Sequence, residues 1–245
     1  MKRDSGSARL SLPMLFFGIV ALVLRRNLYA AAVDAKGLLL RNQPLEIALL
    51  VLTAFAVIWI LLAARKLEPS GNYDRTERWD LLGALGHVAA GAGILLTSLT
   101  ADLMTGGNLA YAWQLLGLAA PACLLLAGIA RLLGKKPFFL LHVVVCLFFV
   151  VHIVAHYQLW SSNPQMQDYV FSLLGAMALM FFGFYTASME ADCGNRRMRV
   201  AMGLAALYFC AAELARSACP ALYLGGILWV LTDLGPMTAA RRKET

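Results

Sequence analysis

Residues Phe138–Trp160 read FFLLHVVVCLFFVVHIVAHYQLW, a run of 23 residues without Asp, Glu, Lys or Arg. At ~1.5 Å per residue a helix of that length crosses the ~30 Å hydrocarbon core of a bilayer. Inside lipid every backbone N–H and C=O needs a partner within the protein, so an uninterrupted apolar run of this length predicts a transmembrane helix. The run also carries His142, His152 and His156, three of the four histidines in the chain.

The rest of the sequence repeats this pattern. The chain is 60% hydrophobic and 14% charged, where soluble domains average roughly 45–50% and about 25%. The excess falls in blocks separated by short charged loops, the signature of a polytopic membrane protein. Eight candidate spans follow: Leu10–Leu24, Leu45–Ala64, Leu81–Thr100, Leu109–Leu133, Phe138–Trp160, Tyr169–Met189, Val200–Ala218 and Ala221–Leu234. The expected fold is all-α, a transmembrane helical bundle of about eight spans forming one integral membrane domain over residues 1–245, with no soluble domain. The first span reads as retained, because Arg25 and Arg26 follow it in place of a small-residue cleavage site. The eighth is only ~21 Å long and is expected to be recessed or partly re-entrant.

With the N-terminus inside, the alternating topology puts sixteen Lys and Arg on the cytoplasmic side and five outside. This positive-inside asymmetry predicts cytoplasmic termini in a bacterial-type plasma membrane. It also accounts for the net charge of +7 without nucleic acid. Four of the five outer basic residues lie in Arg25–Pro44, which reads as an interfacial amphipathic helix ended by Gly37 or, more sharply, as a basic lid over an anionic ligand or lipid headgroup. Gly106, Gly107 and Asn108, and the stretch after Trp160 built on Asn163-Pro164, read as outer turns; Tyr111, Trp113, Trp160 and Tyr169 read as interface anchors.

Five cysteines without a CxxC argue against a disulfide framework or zinc site. No phosphate loop, HExxH, GxSxG or dinucleotide turn is present, so nothing in the sequence requires an enzyme. Gly83, Gly86, Ala90 and Gly93 recur at helical spacing, with a weaker echo in Ser172, Gly175, Ala176 and Gly183; such faces let helices approach closely in lipid.

All four histidines fall inside expected spans, where ionisable residues usually face the bundle interior or a wet cavity. On a helix wheel with His142 at zero, Cys146, His156 and His152 stand at about +40°, −40° and −80°, one broad face. His87 and His142 each lie shortly after the start of an inside-to-outside span, so they share a depth and meet if those spans touch. Glu213 and Arg216, three apart, are spaced to pair across one turn. Asp233 reads as solvated at the inner end. His87, His142, His152, His156, Glu213 and Arg216 are therefore the candidate lining of a substrate or proton path, in a small-molecule or ion permease or an accessory membrane subunit of one. One alternative is a membrane-embedded redox protein or enzyme, with haem or metal on His87 and His142 or a divalent ion on His152 and His156. Another is a structural or assembly partner of other membrane subunits, in which the histidines only hold helices together.

Overall fold

The computed structural model describes residues 8–31, 43–67, 81–100, 108–160 and 169–234. These form eight α-helices and, among the described residues, no strand: α1 (Ala8–Ala31), α2 (Pro44–Arg65), α3 (Leu81–Thr100), α4 (Asn108–Leu132), α5 (Leu140–Trp160), α6 (Val170–Glu190), α7 (Arg196–Glu213) and α8 (Pro220–Leu234). The all-α bundle is the one expected. Six helices, α1 to α6, are long and apolar enough to cross a membrane. The remaining two are not: α7 opens on Arg196, Arg197 and Arg199, and α8 has 15 residues.

Helix α1 runs past Leu24 through Arg25 and Arg26 to Ala31, so these two arginines belong to a helix and not to an outer loop. Residues 32–42 of the expected basic lid, Gly37 among them, lie outside the described residues, as do Gly106, Gly107, Asn163 and Pro164 of the outer turns. So does the side chain of Trp160.

The helices α3 to α8 close a ring. Each packs on its successor, and α8 packs back on α3. Helix α1 packs on α7, and α2 lies against both. Helix α7 therefore has protein on nearly every side. From Arg199 to Glu213 only Met202 and Ala205 are even partly exposed. Surrounded in this way, it has no need of the all-round apolarity that lipid demands. By contrast Leu50, Leu85, Leu96, Leu115 and Leu126 on neighbouring helices stand exposed, as a lipid-facing belt does.

Ends are fixed by caps and by contacts between turns. Asn195 accepts a hydrogen bond from the Met198 N–H (3.2 Å) at the start of α7. Gly134, at φ 67°, ends α4, and the Lys135 N–H reaches back to the Ala130 carbonyl at 2.9 Å. Lys136 pairs with Asp192, and Arg197 donates to the Leu67 carbonyl (3.0 and 3.1 Å), which gathers the C-terminus of α2, the α4–α5 turn and the α6–α7 turn at one basic end.

The small-residue face of α3 makes the closing seam of the ring. A Cβ on Gly86 would collide with Thr232, one on Gly93 with the Ala221 carbonyl, and one on Gly225 would lie 2.7 Å from the Ala89 carbonyl. Backbones meet here with no side chains between them, as close helix packing in lipid requires. The small face of α6 does the same with larger partners: a Cβ on Gly175 would stand 3.3 Å from Tyr223 and 3.4 Å from Cys210. Replacing Gly93 with Leu should cost about 1–3 kcal/mol through overpacking and lower the melting midpoint of the purified protein in detergent. Leu96→Ala, on the exposed side of the same helix, should leave that midpoint almost unchanged; equal effects of the two would contradict the seam.

Candidate functional site

At the basic end of the ring, side chains from six helices converge. His87 on α3 and His142 on α5 share a hydrogen bond between their Nε2 atoms at 3.1 Å, although α4 stands between their helices in the ring. The shared depth read from the sequence is thus realised as a contact. His87 Nδ1 donates to the Gly83 carbonyl one turn earlier, at 2.7 Å. His142 Nδ1 lies 2.8 Å from Glu190 Oε2, on the last residue of α6. The side chains of His87, His142 and Glu190 are fully shielded from solvent. The Trp229 indole stacks on His142 (centroids 5.9 Å apart, planes at 15°) and presents to His87 at 5.7 Å.

Beside this chain stands Asp233, which the sequence suggested was solvated. It is buried, with its side chain wholly inside the protein. Arg131 of α4 donates to one carboxylate oxygen and Arg199 of α7 to the other, the latter at 3.0 Å. Arg199 is further held by Thr186 Oγ1 at 3.1 Å and lies over the Phe182 ring at 5.5 Å. Asp233 Oδ1 stands 3.9 Å from His87 Nδ1, joining the two groups of polar residues. Removing one partner of an ion pair this deep leaves an uncompensated buried charge.

A second polar group occupies the opposite end. Glu213 ends α7 and pairs with Arg25 of α1, which also donates to the Ala212 carbonyl at 3.2 Å. Arg216, three residues on, places its guanidinium over the Tyr29 ring at 4.6 Å and lines the same cavity as Glu213. Arg25 lies 5.0 Å from the Phe171 ring centroid. A cavity of about 50 Å³ opens here, lined by His156, Tyr169, Ser172, Glu213, Arg216 and Cys219 among others. That is room for a few water molecules, and the walls offer the polar partners that water needs. On one wall the hydroxyls of Ser172 and Tyr223 bond each other. Cys219, in the α7–α8 connection, is 3.9 Å from His156 Nε2. Burial, with Glu213 nearby, pushes its thiol up to about 11, so at neutral pH the S–H form faces the imidazole.

His152 and His156 sit one turn apart on α5 with ring centroids at 4.1 Å, but they do not reach His87 and His142; ten residues separate His142 from His152, a rise of ~15 Å. His152 is 1% exposed, and neither ring nitrogen has a hydrogen-bond partner among the described residues. It stacks on Trp113 at 5.2 Å, with planes at 25°. Trp113, expected at the membrane interface, is buried for this reason, between His152 and Phe148.

These contacts bear on metal and haem. Both nitrogens of His142 and both of His87 are already engaged by protein, so as placed neither ring presents a nitrogen to an iron or another metal. Among the described residues no three His, Cys, Asp or Glu are grouped as a ligand set. What the inner arrangement does offer is an unbroken file of hydrogen bonds from Glu190 to the Gly83 carbonyl.

Sequence reasoning missed Glu190, Asp233, Arg131, Arg199, Arg25 and Trp229. Glu190 was the nearest to view: it stands one position beyond an apolar run that ends at Met189. Removing the Asp233 carboxylate leaves two guanidinium groups buried without it, so Asp233→Ala should lose about 3–5 kcal/mol of stability, read as a large drop in melting midpoint and in yield of monodisperse protein. A midpoint near that of the wild type would show that Arg131 and Arg199 do not depend on it.

Comparison of the chain with protein-family models, curated proteins and solved structures yields no match, so the site stands on its geometry alone.

Proposed function

We propose that the chain is a permease for a small polar solute or ion, resident in a bacterial-type plasma membrane with both termini in the cytoplasm. The observation that carries this reading is the polar cavity at the Glu213 end, inside a bundle whose outer faces are apolar. Intramembrane ionisable groups facing a wet cavity mark substrate and ion pathways. Its walls carry acid, guanidinium, hydroxyl, thiol and imidazole groups, which suits a hydrogen-bonding solute better than an apolar one. The buried groups around His142 and Asp233 then form the cytoplasmic side of the same path. An accessory role beside another membrane subunit is the competing assignment, and flux measured with the chain alone separates the two.

Reconstituted alone in proteoliposomes, the protein should pass current or labelled solute for at least one member of a panel of amino acids, small organic anions, ammonium and alkali cations. Ser172→Ala and Tyr223→Phe should weaken apparent affinity about tenfold each, the size of one lost hydrogen bond, and each should also lower the melting midpoint modestly because the two buried hydroxyls bond each other. Flux for no solute in the panel, or flux indifferent to both substitutions, would overturn the assignment. Orientation has its own readout. Cys193, exposed in the α6–α7 turn, should react with a membrane-impermeant maleimide in inside-out vesicles and stay unlabelled in right-side-out cells.

A further inference from the structure

We propose that Glu190, His142 and His87 form a binding site for a single proton, and that its occupancy holds α3 to α5. As the coupling ion of a permease this deepens the assignment above and rests on it; as a proton site it stands alone.

The number of hydrogens along the file is fixed by its contacts. A carbonyl oxygen only accepts, so the 2.7 Å contact with Gly83 places a hydrogen on His87 Nδ1. One of the two Nε2 atoms facing each other at 3.1 Å must donate to the other. If His87 is neutral its Nε2 accepts, and His142 Nε2 carries the hydrogen. His142 Nδ1 then meets Glu190 Oε2 at 2.8 Å in one of two ways. Either the acid donates to a neutral imidazole, or an imidazolium donates to the carboxylate. If instead His87 carries both its hydrogens, His142 accepts at Nε2 and donates from Nδ1 to the carboxylate. All three arrangements hold the same number of protons, one more than two neutral imidazoles and a carboxylate. The proton belongs to the file and not to any one residue.

Remove it and the contacts cannot all survive. With Glu190 ionised and His142 neutral, Nδ1–H serves the carboxylate and the Nε2 lone pair faces the Nε2 lone pair of His87. His87 must then turn its Nδ1 hydrogen away from Gly83, or the two rings must part. Either change loosens the polar link between two helices that do not otherwise pack side by side. The charged groups facing the file from the packed helices are Asp233 on α8, with Arg131 on α4 and Arg199 on α7 bound to it. Asp233, 3.9 Å from His87 Nδ1, favours the proton at the His87 end, and the two guanidinium groups oppose it there. Glu190 Oε1 is buried and bonds nothing among the described residues, which leaves the carboxylate with an unused acceptor. Binding adds H⁺ to the carboxylate or imidazole, and the three side chains pass from a net charge of −1 to zero.

The test is ¹⁵N spectroscopy of the full chain in lipid, labelled at its four histidines and assigned with His→Gln variants. In the wild type, raising the pH should remove one proton from the file, and the His87–His142 hydrogen-bond signal should vanish at the same midpoint. Glu190→Gln keeps a donor facing His142 Nδ1 that cannot be titrated away. In that variant the His87–His142 signal should persist throughout the pH range in which the fold survives. A wild-type signal that persists through the same range, or a Glu190→Gln variant that loses it at the wild-type midpoint, would overturn the proposal. Should Glu190→Gln fail to fold, infrared detection of a protonated carboxyl in the wild type, disappearing at the pH where the imidazole link breaks, supplies the same decision. A file that titrates in a protein that carries no solute keeps the proton site and removes the permease; flux without titration does the reverse.

Discussion

Asp233 takes one hydrogen bond from Arg131 on α4 and another from Arg199 on α7, with no solvent at any of the three side chains beyond a few per cent at Arg131. Neither guanidinium tolerates that depth without the carboxylate, and the carboxylate tolerates it only with both. Because Asp233 sits on the helix that closes the ring, this contact and the α3–α8 seam depend on one another. The seam has glycine where side chains would stand, so α8 comes close enough for Asp233 to reach both arginines. Trp229, one turn earlier on the same helix, then lands flat against His142. Position on α8 thereby sets both the charge pairing and the aromatic wall of the histidine file.

Helix α7 plays the complementary part. It supplies Arg199 to the inner group and Glu213 to the outer one, 14 residues apart on one buried rod. A rigid helix with protein on nearly every side keeps these two charges at a fixed separation of ~21 Å. Its own sequence would be a poor lipid span, with three arginines in the first turn. Enclosure by α1, α2, α6 and α8 makes that irrelevant.

Much of this was legible in the residues. The apolar blocks gave the helices, with boundaries within a few positions for most, and the small-residue stripe of α3 marked a close seam. Equal depth brought His87 and His142 together correctly. The reading failed where a charge turns inward. Counting Lys and Arg per loop treats Arg131 and Arg199 as members of a cytoplasmic collar, because the rule concerns the side of the membrane and says nothing of direction. Asp233 was assigned to solvent for the same reason. For Glu213 the spacing pointed to a neighbour three residues on, whereas the approach of Arg25, 188 positions away, has no signal in the sequence. Trp113 fitted the pattern of an interface anchor, and only the position of His152 across the α4–α5 contact explains why it is buried.

Three buried carboxylates, Glu190, Glu213 and Asp233, occupy the last turn of their helices. There the unpaired carbonyls already present partial negative charge, so an added carboxylate charge needs compensation. Two of them receive it from arginine: Glu213 from Arg25, and Asp233 from Arg131 and Arg199. Glu190 is the exception. Its partner is an imidazole, and its second oxygen bonds nothing described. An imidazole compensates a carboxylate only by carrying a proton or by accepting the one the acid keeps. Of the three helix ends, this is therefore the one where a mobile proton takes the place that a fixed guanidinium fills at the other two. It is also the end linked, through His142 and His87, to α3.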